Sequence, residues 1–219
     1  MWTRNYNNLI NTVISFSSQG NTTTSTKSFG NGYLFNFKNA AGSVYEICTY
    51  SVSGDRGNFR SHPAFVTHSG SNSSSDTRTC TVTVIKDQTS VSSANEMGKM
   101  LVGFGSSAAA ETYEDYKLGT IITGLNQNSA TATVIQNADG TLTLNCQILI
   151  TATSDITIQE VGIFRPMSYR SVPSSGGTSN VYYPALLNRI VLDEPISVTS
   201  GNVANVTFAV TTPKISIAQ

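Results

Sequence analysis

Two side chains interrupt rows that are otherwise apolar. In "ITIQEVGIF", residues 156–164, Ile156 and Ile158 alternate as in a half-buried strand, and the next position on that face is Glu160. An unbroken pleat would add Gly162 and Phe164 to the same row. In "LLNRIVL", residues 186–192, Arg189 interrupts Leu187 and Val191 in the same way. A carboxylate in apolar surroundings can serve as a general acid or base, a metal ligand, or half of an ion pair. Two interruptions of opposite charge favour the third use, with Arg189 donating a forked hydrogen bond to Glu160. A bulge at Gln159 would instead rotate the strand and expose the carboxylate.

Other reactive residue types are sparse. His62 and His68 in "HPAFVTH" stand six apart across a proline, and no further Cys or His lies near enough to complete a zinc site. Cys48, Cys80 and Cys146 are odd in number and form no CxxC pair. Cys146 falls in the row Leu142, Leu144, Ile148, Ile150, where a thiol fills apolar space. "VGFGSS", residues 102–107, contains GxG but lacks the lysine and helix of a phosphate loop, so it reads as a glycine-bent strand exit. Glu111, Glu114 and Asp115 are too local for the carboxylate pair of a glycosidase. Thr112 and Asp115 have capping-box spacing, which predicts one helical turn through "YEDY". No GxSxG elbow marks a serine nucleophile. These residues predict no catalytic group, no metal and no cofactor.

The elements that position Glu160 and Arg189 read as strands. Short segments rich in Val, Ile, Thr, Phe and Tyr recur between Gly, Ser and Asn: "YLFNF" from Tyr33, "SVYEICTY" from Ser43, "TCTVTVI" from Thr79, "KMLVGF" from Lys99, "TATVIQ" from Thr131, "TLTLNCQILI" from Thr141, "ISVT" from Ile196 and "VTFAVT" from Val206. "NADGT", residues 137–141, predicts a hairpin, and "TSGN", residues 199–202, a second one. The expected fold is all-β: an antiparallel β-sandwich of jelly-roll or immunoglobulin type with long polar loops. The loops are "SSQGNTTTSTKSFGNG" from Ser17, "THSGSNSSSDT" from Thr67 and "SVPSSGGTSN" from Ser171. A composition shift near Ser90 suggests an irregular half, 1–95, and a regular sandwich half, 96–219, or one continuous domain.

Composition narrows the function classes. In 219 residues, Lys+Arg and Asp+Glu are each 13, and charged residues make up 12%, about half the ~25% of ordinary soluble proteins. That balance argues against a nucleic-acid partner. No apolar run approaches the ~20 residues of a membrane span, and the opening residues lack signal-peptide order, which predicts a soluble protein made in a cytoplasm. Trp2, Arg4 and Tyr6 are of types enriched at interface centres, so 1–16 reads as a docking arm. Tyr169, Tyr182 and Tyr183 flank "SVPSSGGTSN", and rings beside small polar residues suit a host-contact loop.

The sequence also carries a specific resemblance. "WTRNY" at Trp2, "LVGFGSS…TYEDYKL" at Leu101, "ITIQEVGIF" at Ile156, "YYPALLNRIVLDEPISVTSGN" from Tyr182 and "VTFAV" near the end occur in that order. In this the chain resembles a family of tailed-bacteriophage virion structural proteins. Its members are similar in an opening Thr-Arg-Asn-aromatic, a GxGxx…Asp-Tyr step, "EVGLF", and "LLxRxVLDxPI…G…VTYT". The match is best over 97–212, and the amino-terminal half is covered by its first few residues alone. Phe208 stands where an alternating Thr-Tyr is common, and "SSAAAE" lacks the usual prolines. The resemblance implies a non-enzymatic virion component, a capsid decoration or head-fibre protein or a tail or collar protein, made in the host bacterial cytoplasm. Its implied partners are capsid, portal, collar or tail subunits and further copies of itself. The alternative is a receptor-binding adhesin of the virion that touches the host surface.

Overall fold

In the computed structural model the chain is described over residues 1–7, 27–28, 36–38, 40, 44–46, 49–50, 77–80, 82–90, 99–171 and 179–213. The strands are β1 (Lys27–Ser28), β2 (Asn36–Lys38), β3 (Val44–Glu46), β4 (Thr49–Tyr50), β5 (Thr77–Cys80), β6 (Val82–Ile85), β7 (Met100–Gly105), β8 (Leu125–Gln136), β9 (Leu142–Ala152), β10 (Ile156–Ser171), β11 (Ser179–Val198) and β12 (Val203–Thr211). Two four-stranded sheets, β11-β10-β7-β6 and β12-β9-β8-β5, form the expected β-sandwich, and β1-β4 and β2-β3 are separate two-stranded pairs.

Alternation builds the core. Along β9, Leu144, Cys146, Ile148, Ile150 and Ala152 point inward, as predicted for the thiol. They meet Ala132 and Val134 of β8, Val206 and Val210 of β12, and, from the facing sheet, Val102, Phe104, Ile158, Val161, Ile163 and Leu187. Each large aliphatic or aromatic side chain buried this way stabilises the fold by about 1.5–3 kcal/mol.

A single rule describes the non-local pairing in the two sheets. From β5 onward the chain crosses between sheets every two strands, and each odd-numbered strand pairs with the one three places on: β5 with β8, β7 with β10, β9 with β12. All of these pairs are antiparallel; the β6–β7 pair is parallel. Both sheets take strands from either side of the composition shift near Ser90, because β5 and β6 precede it.

Several predicted elements are redrawn. "TCTVTVI" is two strands in different sheets, β5 and β6, parted at residue 81. "LLNRIVL" and "ISVT" are one strand, β11. "NADGT" is a hairpin turn: Asn137 N–H donates to Thr141 O (2.8 Å), and Gly140 takes φ +82°. "TSGN" also turns with a positive-φ glycine, Gly201, but it is no hairpin, since β11 and β12 lie in different sheets. Lys27 and Ser28, inside the first predicted polar loop, form β1. The remainder of that loop, residues 67–76 and 172–178 of the other two, His62, His68 and Cys48 lie outside the described residues.

Candidate functional site: a buried charge clasp

The two interrupting charges do meet, but not on the face expected. Ile156 and Ile158 face the main core, and so do Val161 and Ile163, so the pleat changes phase around Gln159. The β10–β11 register shifts there: Ile158 pairs with Ile196 and Glu160 with Val191, leaving residues 192–195 of β11 bulged. A second shift between Ile163 and Phe164 leaves Leu187 as an extra residue on β11. Glu160, Gly162 and Phe164 therefore face the opposite side of the sheet from Ile158, as do Leu186 and Arg189 from Leu187. The predicted single stripe is corrected to two half-stripes on opposite faces. The bulge does not expose the carboxylate, because residues 106–121 cover that outer face and Glu160 is 0% exposed.

Arg189 Nε donates to Glu160 Oε2 at 2.6 Å, with both side chains buried. The predicted fork is absent, since the rest of the guanidinium is directed elsewhere. Nη1 donates to Asp115 Oδ2 (3.0 Å) and Ala110 O (3.2 Å), and Nη2 to Ala109 O (2.9 Å). The other carboxylate oxygen, Glu160 Oε1, accepts from Gly119 N–H (2.8 Å), Ser107 N–H (3.3 Å) and Thr120 N–H (3.4 Å). Both ions are thus saturated by fixed partners, which offsets the cost of taking them out of water. Burial opposes the Arg189 charge, but Glu160 and Asp115 outweigh it and hold the guanidinium pKa above its ordinary value. Burial likewise raises the Asp115 carboxyl, while hydrogen bonds from Thr112 and Arg189 more than reverse this and hold it below the usual range.

Glycines make the space. Gly105 and Gly103 pair with Glu160 and Gly162 in the β7–β10 ladder. A Cβ on Gly105 would sit 2.3 Å from Glu160 Oε1, and one on Gly162 would sit 2.7 Å from Phe164 Cε2 and 2.8 Å from Leu118 Cδ2. The glycines of "VGFG" and "EVGIF" thereby form a trough holding Glu160, Phe164 and Leu118. Leu101, Leu118, Phe164 and Leu186 make a second small core there.

The covering segment is clamped at several points. The Gln88 side chain pairs with Leu118 as a strand would, accepting from its N–H (2.8 Å) and donating to its carbonyl (3.1 Å). Residues 112–115 form a turn rather than the predicted helical turn, although half of the capping box is present: Thr112 N–H donates to Asp115 Oδ2 at 2.9 Å. The acidic cluster disperses to separate tasks. Glu111 accepts from Val191 N–H (2.7 Å) and pairs with the amino terminus, Glu114 pairs with Arg4, and Asp115 with Arg189.

Residues 1–7 lie on this same sandwich. Thr3 N–H donates to Leu187 O (2.9 Å), Arg189 N–H to Met1 O (3.0 Å) and Trp2 Nε1 to Thr211 O (2.9 Å). Trp2 and Tyr6 ring centroids are 4.2 Å apart, and Tyr6 is buried in the main core, which pushes its hydroxyl pKa up to about 12. Arg4 alone of the three arm residues is exposed, over the Tyr113 ring at 5.6 Å. The three tyrosines of the predicted host-contact loop stand in the β10–β11 ribbon, with Tyr169 opposite Val181, Ser168 opposite Tyr182 and Met167 opposite Tyr183. Gln88, beyond the end of β6, and Gln127, in the polar opening of β8, went unread in the sequence because a polar residue among polar neighbours gives no periodic signal.

A depression on the outer face of β8, β9 and β12 is lined by Thr131, Thr133, Asn145, Cys146, Gln147, Thr207, Phe208 and Ala209, a set that includes no carboxylate, histidine or lysine. No family model, curated protein or solved structure matches this chain.

Proposed function

We propose that this chain is a structural protein of a tailed-bacteriophage virion, a capsid decoration or head-fibre component or a tail or collar component. The observation carrying this reading is the convergence of the motifs on which the family resemblance rests. Thr3, Gly105, Asp115, Glu160 and Arg189 come from four separate stretches and are joined by strand pairing or hydrogen bonds in and around one clasp. In this reading the shared residues are a framework that locks a loop and an amino-terminal segment onto a sandwich. Glu160, with both oxygens occupied and no exposed surface, suits that role and not proton transfer to a substrate. The partners are other virion subunits and further copies of the chain. Quantitative mass spectrometry on gradient-purified particles of the phage encoding it should find the chain at a fixed ratio to the major capsid or tail protein. Its loss from particles during purification would overturn the reading.

A second reading, a virion adhesin, is favoured by the β10–β11 ribbon. From Arg165 to Ser171 and from Ser179 to Ala185 these strands pair with each other beyond the last β7 pair at Phe164, and Tyr169, Tyr182 and Tyr183 stand in that extension. Replacing the three tyrosines by Ser should abolish attachment of particles to host cells under this reading and leave it unchanged under the first.

A further inference from the structure

The edges of the two large sheets differ in what covers them. On β11, Leu187 O, Arg189 N–H and Val191 N–H are taken by Thr3, Met1 and Glu111. On β6, the Gln127 amide substitutes for a neighbouring strand, accepting from Val84 N–H (2.7 Å) and donating to Val82 O (3.3 Å). β12 pairs with β9 on one side and, among the described residues, with no strand on the other.

Its ladder runs from Ala152 N–H donating to Asn202 O to Thr212 N–H donating to Leu142 O, so the even-numbered residues bond to β9. By antiparallel alternation the N–H and C=O groups of Val203, Asn205, Thr207, Ala209 and Thr211 point away from it. Trp2 Nε1 takes the Thr211 carbonyl and closes that end. What remains, Val203 to Ala209, contains no charge, proline or bulge, and such an edge is a template for another strand.

We propose that β12 is a self-association edge, at which a second copy of this chain adds its own β12 antiparallel across a two-fold axis at Val206. Charge and shape both fit this occupant. A two-fold sets the strand against itself, and with no charged side chain in Val203–Thr211 no like charges meet. Centred on Val206, the pairing sets Asn205 opposite Thr207 of the second copy and Val203 opposite its Ala209, polar against polar and apolar against apolar. On the inner side it sets Phe208 opposite Ala204 of the second copy; both are only half-buried in the single chain. Centring on Thr207 instead would need the Thr211 carbonyl that Trp2 already holds. The product is one continuous eight-stranded sheet whose outer face is uncharged on β8, β9 and β12. The proposal stands on the strand's own chemistry, independently of the virion reading.

Sedimentation equilibrium of the full chain should show a reversible monomer–dimer equilibrium. Thr207→Pro removes an N–H that points away from β9, so it should give a folded monomer whose thermal melt matches that of the wild type at concentrations where the wild type is itself monomeric. Asn205→Cys chains mixed with Thr207→Cys chains should form a disulfide-linked dimer under mild oxidation, because facing residues lie about 5.5 Å apart, within disulfide range. Either variant alone should not, since the same residue on the two strands is separated by about 7–8 Å. The disulfide test also decides the matter if Thr207→Pro fails to fold. A chain monomeric at every concentration, a dimer that survives Thr207→Pro in a folded protein, or equal crosslinking in the unmixed variants would overturn the proposal.

Discussion

Gly105 lies directly across the β7–β10 ladder from Glu160, and the space where its side chain would begin is occupied by the carboxylate. Gly105→Ala should therefore act on the clasp and not on the strand. Its Cβ would fall 2.6 Å from Glu160 Cγ, so the glutamate must leave the position in which it meets Arg189 and Gly119. The expected cost is about 1–3 kcal/mol, read as a lower urea midpoint at unchanged slope. Combined with Glu160→Ala the same substitution should cost much less, since nothing is left to displace.

Removing one ion alone should cost more. Glu160→Ala leaves Arg189 Nε and three backbone N–H groups without an acceptor, and Arg189→Ala takes the guanidinium from two carboxylates and two carbonyls, so each is expected to lose about 3–5 kcal/mol. In a urea-melt cycle of Glu160→Leu, Arg189→Met and the two combined, the double variant should cost less than the sum of its own two singles, by about 1–3 kcal/mol. Because the outer partners remain, the double variant should still fall below the wild type. Strict additivity would mean that the two charges act separately.

The existence of that pair was legible because each charge broke an apolar row and the charges were opposite. Its setting was not, because periodicity assumes that the pleat never changes phase. The bulges at 192–195 and Leu187 are properties of the pairing between β10 and β11, and "DEP" within a strand gives no count of skipped residues. "VGFG" could be read as a strand exit but not as a trough, since the use of its glycines depends on Phe164 and Leu118 arriving from elsewhere. The sandwich itself was legible from alternation. Its strand order was not, because "TCTVTVI" alternates without a break where the chain changes sheets, and "TSGN" has the same chemistry whether or not its flanking strands pair.

The Asp115 carboxyl predicts an acid-side dependence. Its folded pKa is below its unfolded value, so as pH falls the unfolded chain takes up this proton first. The stabilisation is present above the unfolded value, near 4, and is lost as pH drops through the lower folded one. Unfolding free energy measured between pH 2 and 6 should fall less steeply for Asp115→Asn than for the wild type.

On the alkaline side Tyr6 should dominate the arm. Burial raises its pKa from 10.0 to about 12, so the folded chain keeps a proton that the unfolded chain releases. Its contribution is complete below pH 10 and is lost as pH rises toward 12, reaching about 3 kcal/mol. Tyr6→Phe should flatten that limb of the stability profile, and deleting residues up to Tyr6 should lower the melting temperature at neutral pH as well.

Pairing β5, β7 and β9 each with the strand three places on has a kinetic consequence. During synthesis β7 must wait for β10 and β9 must wait for β12, while Thr3 and Trp2, among the first residues made, have their partners at Leu187 and Thr211. Neither large sheet can be completed until nearly the whole described chain has left the ribosome. Such high contact order places folding in the slow, millisecond-to-second regime of β proteins, with the uncharged β12 the last strand to find its place.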